Sequence, residues 1–237
     1  MVEFKPFEIF GTDHLVTLVI TFLLFIGLPF IFKHREEKTK WGIGIGIACL
    51  IFVHEITNNL YYNFTLGLNW QEMFPLHMCD LSAFAIAFYF FNKNKLLFNC
   101  AFFWGIGGAT MALLTPDVEF GPPSPEYWQF FYGHALVLLG VFFAVIALGE
   151  RPYFKDVHKV IGVTLILLVG IYIANFILGE DANFWYLKNR PDGASLLDLF
   201  PDPPFHILVT IPIAIAMFYL IYLPLGIKDL LSKSNKR

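Results

Sequence analysis

The sequence predicts an all-α, polytopic transmembrane bundle of seven spans, with the N-terminus outside and the C-terminus cytoplasmic. Three observations support this. Hydrophobic residues make up 57% of the chain and charged residues 15%, whereas soluble domains are about a quarter charged. Seven stretches are apolar over close to the ~20 residues that a helix needs to cross the hydrocarbon core. Lys and Arg alternate from loop to loop: segments 33–40, 92–95, 151–159 and the tail after Gly226 hold thirteen of the sixteen basic residues. These charges resist translocation, so they collect in cytoplasmic loops and orient the spans. Backbone polar groups must be satisfied internally in lipid, which leaves helices as the spanning form.

The first span, 14–32, follows an acidic stretch and lacks a basic n-region and a small-residue cleavage site, so it reads as an uncleaved span. The second, 42–63, opens on Gly42, Gly44 and Gly46, an alternation suited to close helix approach, and ends on Tyr61 and Tyr62 at the outer interface. The third, 75–91, is the shortest and has its polar groups early. The fourth, 97–116, contains Gly105-Ile106-Gly107-Gly108-Ala109, which inside a span reads as a packing surface and not as a phosphate loop. The fifth, 127–149, opens with Tyr127, Trp128, Phe130, Phe131 and Tyr132, an aromatic interface belt. The sixth spans 159–178 and the seventh 205–226. Between them, the longest loop holds Ser195-Leu196-Leu197-Asp198, a capping-box pattern with Asp in place of Glu. Its apolar residues Leu196, Leu197, Leu199 and Phe200 would suit a lid on the outer membrane surface. No repeat or second domain is evident, so 1–237 reads as one transmembrane domain in the cell membrane, by the family resemblance below a bacterial plasma membrane.

Polar residues are unevenly placed by depth, at about 1.5 Å per helical residue. His54 and Glu55 fall past the midpoint of the outward-running second span. His77, Cys79 and Asp80 lie in the first turns of the third. Thr110 and Thr115 sit in the outer half of the fourth, His134 two turns into the fifth, Asn175 near the outer end of the sixth, and His206 opens the seventh. The inner halves hold almost nothing comparable. One polar cavity open to the outside is the simplest arrangement, and ionisable groups within spans mark functional sites or paired structural contacts.

His54 and Glu55 point about 100° apart on a helix, so each suits either the site or an interhelical hydrogen bond. His77 and Asp80 share a helix face, where Asp80 could orient the imidazole or both could cap the helix. Cys49 and Cys100 read as small hydrophobes. Cys79 differs because it lies between ionisable neighbours. His77, two residues away, projects to a nearly opposite face, so a base for this thiol must come from another helix, His134 first and His54 second. The three cysteines have neither metal-ligand spacing nor a disulfide framework. No cofactor is implied. The net charge of −3 gives no reason to expect nucleic acid, and the expected partners are membrane lipids, with the oligomeric state open.

Pro75-Leu76-His77-Met78-Cys79-Asp80, Ala112-Leu113-Leu114-Thr115-Pro116-Asp117, Gly133-His134, and Asn183-Phe184-Trp185-Tyr186-Leu187 with Pro191 and Ser195 occur in this order. On these motifs the chain resembles the bacterial YwaF-type membrane proteins and, more distantly, eukaryotic transmembrane protein 164. The resemblance implies a multi-helix membrane fold and, through the eukaryotic relative, an acyltransferase acting on phospholipids through a cysteine acyl carrier. Carried over, Cys79 would be the nucleophile and His134 its base. It also suggests kinship of fold with membrane hydrolases that cleave fatty-acid esters through a Thr–His pair. The resulting expectation is a lipid-modifying enzyme, an acyltransferase or lipid-ester hydrolase, with catalytic Cys79, His134 and Asp80 and with His54, Glu55, Thr110 and Asn175 binding substrate. Two rivals stand beside it. His54, His77, Asp80, His134 and His206 are numerous enough for a zinc-dependent hydrolase, although paired histidines on the last span are missing. A transporter or small-molecule-binding protein would use the outer cavity, although no ionisable path continues inward.

Overall fold

The computed structural model describes residues 4–61, 64–65, 69, 71, 73–191 and 196–234. Helices dominate: α1 (Thr12–Phe32), α2 (Glu37–Tyr61), α3 (Met78–Asn92), α4 (Lys95–Leu114), α5 (Pro125–Ile146), α6 (Phe154–Ile177) and α7 (Ile207–Ser234). Each expected span coincides with one of them. Among the described residues, six are long and apolar enough to cross a membrane, and α3 is the exception at 15 residues. At 1.5 Å per residue it measures about 22 Å, against about 30 Å of hydrocarbon. The chain divides into two compact units, Met1–Tyr61 with Met78–Arg151, and Tyr62–His77 with Pro152–Arg237.

In the first unit, α3 packs against α2, α4 and α5. Its sequence explains why it is the core helix: Ser82, Ala83, Ala85 and Ala87 are buried together with Ile86, Tyr89 and Phe90, so small residues admit neighbours on several faces. Helix association in lipid depends on such close van der Waals approach. The Phe90 ring lies over Gly44 of α2, where a Cβ would meet Phe90 Cδ1 at 2.4 Å. A Cβ on Gly42 or Gly46 would meet nothing within 4 Å; one glycine of the three is a packing contact. Gly105 of α4 approaches α5 in the same way, since a Cβ there would stand 3.0 Å from Val137 Cγ1. It opens a π-helical turn, Gly105–Ala109, inside α4. Gly105 is therefore a helix-packing contact, whereas a Cβ on Gly108 would meet nothing within 4 Å.

Both ends of this unit are tied by polar contacts. At one, Tyr89 donates to Glu150 Oε1 at 2.9 Å, and Lys95 pairs with Oε2 of the same carboxylate. At the other, His14 is fully buried. Its Nδ1 accepts from Phe10 N at 2.9 Å, so Nε2 carries the proton and donates to Leu113 O at 2.8 Å. Tyr127 donates to Thr17 Oγ1 at 2.8 Å, a hydrogen bond made by a residue of the expected aromatic belt. Large apolar side chains such as Leu23 of α1, 63% exposed, face outward to lipid.

The second unit contains α6, α7 and the connection between them. Asn175 of α6 is fully buried, donating through Nδ2 to Phe184 O at 2.9 Å and accepting from Phe184 N at 2.8 Å. Lys188 Nζ donates to Gly179 O at 2.6 Å and to Glu180 O at 3.2 Å, satisfying carbonyls just beyond the C-terminus of α6. Between these anchors Trp185 and Tyr186 adopt φ of 58° and 53°, a left-handed conformation that costs non-glycine residues of order 1–3 kcal/mol. Trp185 Nε1 donates to Leu76 O, and His206 Nε2 donates to Tyr186 O, each at 2.8 Å. Arg190 donates to Phe200 O at 2.6 Å and pairs with Asp202 at 3.2 Å. Ser195, the first residue of the expected capping box, lies outside the described residues. The segment after it is one 3-10 turn, Leu196–Leu199, with Leu199 80% exposed. Tyr62 also lies outside the described residues.

Candidate functional site

Three helices of the first unit supply the polar residues that the sequence marks. α2 contributes His54 and Glu55, α3 contributes Cys79 and Asp80, and α5 contributes Gly133 and His134. The site rests on one close approach. A Cβ on Gly133 would stand 2.3 Å from His54 Nε2 and 3.0 Å from its Cδ2, so hydrogen is the only side chain that admits the imidazole there. His54 is 5% exposed, with the Tyr132 ring edge-on at 5.5 Å between centroids. Its Nδ1 is buried without a hydrogen-bond partner among the described residues. An unpaired buried polar atom is costly, and this one belongs to a residue that also lines a groove of about 420 Å³ with Thr57, Gln129 and Trp128.

The remaining groups form two electrostatic pairs bridged by the adjacent residues His54 and Glu55. His54 and His134 lie within interaction range of each other. Glu55 and Asp80 do likewise, and Cys79 feels both carboxylates. The Cys79 thiol donates to Asp80 Oδ1 at 3.6 Å, a sulfur-length hydrogen bond. His134 Nδ1 lies 2.8 Å from Phe130 O, and its ring packs on Phe130 at 4.4 Å. A carbonyl only accepts, so Nδ1 carries the proton and Nε2 bears the lone pair of the neutral ring. That tautomer suits a general base acting through Nε2. Among the described residues no hydrogen bond joins Cys79 to His54 or His134; the thiol's partner is its own neighbour, Asp80.

Of the other marked residues, Thr110 belongs to the first unit and Asn175, His77 and His206 to the second. Thr110 lines an apolar groove of about 320 Å³ with Leu18, Phe22 and Leu138. Asn175 commits both ends of its amide to Phe184, which makes it an anchor of the connecting segment. His77 belongs to the second unit, where its ring lies 5.0 Å from that of Phe184 and 6.2 Å from that of Tyr186. His206 is 2% exposed in the same unit and has an unpartnered Nδ1. Among the described residues, no three His, Cys, Asp or Glu side chains converge as a metal site would require. One contributor is not evident from the sequence. Gly133 stands in the Gly-His motif, but its role as the seat of His54 needs the packing of α2 on α5.

Comparison with known proteins gives a family and one distant relative. The profile of the TMEM164 family matches residues 9–222. A protein of Treponema pallidum (strain Nichols), described as an uncharacterized protein, is 25% identical over 186 residues, covering 77% of this chain and 75% of that one. No solved structure matches significantly.

Proposed function

This chain belongs to the TMEM164 family, and on that premise we propose that it is a lipid-modifying membrane enzyme that passes an acyl group through Cys79. The observation that supports this reading is the gathering of a thiol, two carboxylates and two imidazoles from α2, α3 and α5 within one unit of a membrane protein. Charged side chains among apolar helices are costly and are retained where they face a cavity or each other.

In this proposal the Asp80 carboxylate aims the thiol, and His134 Nε2 takes its proton as sulfur attacks the ester carbonyl of a phospholipid. The carbonyl–oxygen bond then breaks, the proton returns to the departing lysophospholipid alkoxide, and the acyl group remains as a thioester. An acceptor hydroxyl, deprotonated by the same nitrogen, attacks the thioester; its proton goes to the departing sulfur and restores the thiol. Hydrolysis follows the same course with water as acceptor. Rotation of the His134 side chain toward the thiol is part of the cycle, because the resting hydrogen bond of Cys79 is to Asp80. Glu55 supports Asp80 in this scheme, and His54 on the Gly133 seat polarises the acceptor in the adjoining groove.

The same reading takes α3 as a seventh span, places the N-terminus outside and the C-terminus in the cytoplasm of a bacterial plasma membrane, and includes kinship with the YwaF-type proteins. It is tested by incubating the full chain in nanodiscs with a phospholipid bearing an isotope-labelled acyl chain, followed by peptide mass spectrometry. The expected product is a Cys79 peptide heavier by one acyl group and released by neutral hydroxylamine. A labelled acyl transfer product formed equally well by Cys79→Ser would overturn the reading.

A further inference from the structure

A large cavity in the second unit has no part in the chemistry of Cys79. It occupies about 1030 Å³ between the start of α6 and the last four turns of α7, at the upper limit of the ~300–1,000 Å³ usual for small-molecule sites. Phe154, Tyr219 and Tyr222 wall it, and Lys155 and Asp229 stand at its polar end. From Tyr219 to Ser232 the lining follows α7 for about 20 Å, so one pocket runs from apolar helix surface to charged helix end.

The polar groups within it are distinguishable. Tyr222 donates to Asp229 Oδ2 at 3.1 Å, which occupies that carboxylate. Tyr219 Oη and His158 Nε2 are 3.2 Å apart, and Phe154 stacks edge-on against His158 at 4.9 Å. Lys155 is exposed, and no hydrogen bond or ion pair engages its ammonium among the described residues. Lys228 adds positive charge toward the same end of α7, while Lys159 is paired with Asp156 at 3.4 Å. Gly226 keeps the floor open, since a Cβ there would stand 3.1 Å from Tyr222 Cε1.

We propose that this cavity is a binding site for one anionic glycerophospholipid of the surrounding bilayer, with the phosphate on Lys155 and the upper acyl chain along Phe154 and Leu223. The occupant follows from complementarity. The free charge is a cation, the walls are aromatic and aliphatic, and the cavity lies along membrane-crossing helices. Basic pockets at the ends of such helices recognise lipid headgroups, and tyrosine rings suit the boundary where apolar and polar parts of a lipid meet. The site is separate from the proposed acyl-transfer chemistry and stands without it.

The experiment uses the full chain, purified in neutral detergent, stripped of lipid and offered phosphatidylglycerol or phosphatidylcholine with identical acyl chains. Native mass spectrometry reads the fraction of protein retaining each. Retention of phosphatidylglycerol should exceed that of phosphatidylcholine about fivefold, the preference expected of one lysine near the headgroup. Lys155→Glu should bring the ratio to about one, and Lys155→Arg should preserve it. Gly226→Leu, which fills the cavity, should reduce retention of both lipids. Equal retention by the unaltered protein, an unchanged ratio in Lys155→Glu, or a stable dimer that retains no lipid would each overturn the site.

Discussion

The imidazole of His54 rests on the α-carbon of Gly133, so close that a single methyl group on that carbon would stand 2.3 Å from Nε2. This contact joins α2 to α5 and sets the position of His54 beside His134. Gly133→Ala should therefore push the ring aside or part the helices, at an overpacking cost of about 1–3 kcal/mol. Gly46→Ala is the matched control, because a Cβ there meets nothing within 4 Å, and its helix gains propensity of up to about 1 kcal/mol. Thermal unfolding in detergent should show the first variant lowered and the second unchanged or raised. Equal midpoints for the two would show that the close approach does not determine stability.

Cys79→Ser keeps the hydrogen bond to Asp80 but substitutes a far weaker nucleophile. Acyl turnover should fall roughly a thousandfold or more, while the free energy of unfolding changes by no more than about 0.5 kcal/mol. Cys79→Ala should match it in turnover. If both variants lost their fold instead, the thiol would be a packing group.

Asn175 commits both ends of its amide to the backbone of Phe184. Asn175→Ala leaves the buried Phe184 N–H unpaired, at about 1–3 kcal/mol, and leaves its carbonyl with the 3.4 Å hydrogen bond from Leu187 N. The Glu180–Pro204 connection should become more sensitive to limited proteolysis, and Asn175→Asp, which keeps the acceptor, should be intermediate. Wild-type cleavage rates in Asn175→Ala would refute the anchoring role.

Membrane orientation has a direct test. A reporter active only in the cytoplasm should work when fused after Arg237 and fail when inserted in the Glu180–Pro204 connection. Equal signals from both positions would overturn the expectation drawn from thirteen of sixteen basic residues lying in alternate loops.

Much of the fold is legible in the sequence because length and hydropathy decide where a helix can form in lipid. Gly44 and Gly105 are recognisable as packing residues, yet nothing in the pattern separates Gly44 from Gly42 and Gly46. The polar groups divide the same way. Counting residues gives the height of a side chain along its helix, which puts His54, Glu55, Cys79, Asp80 and His134 at similar depth. It does not give rotation about the axis, which packing sets. Thr110 thus faces an apolar groove beside α1, and Asn175 turns to Phe184. The left-handed residues Trp185 and Tyr186 leave no trace at all, because neither is a residue type that signals that conformation.

The brevity of α3 bears on where lipid chemistry can take place. If α3 is a span, as the proposed topology has it, with Lys93 and Lys95 at a water boundary, Cys79 would lie thirteen residues from Asn92, about 20 Å up a hydrocarbon layer of about 30 Å. The thiol would then be some 10 Å beneath the opposite headgroups, deeper than the ester carbonyls of an undisturbed leaflet. A bilayer thins around a short helix at a fraction of a kcal/mol per ångström. A dimpled leaflet around α3 would lower the glycerol backbone of neighbouring lipids toward Cys79 before any of them is bound, so that membrane thickness itself would govern how readily an ester reaches the sulfur.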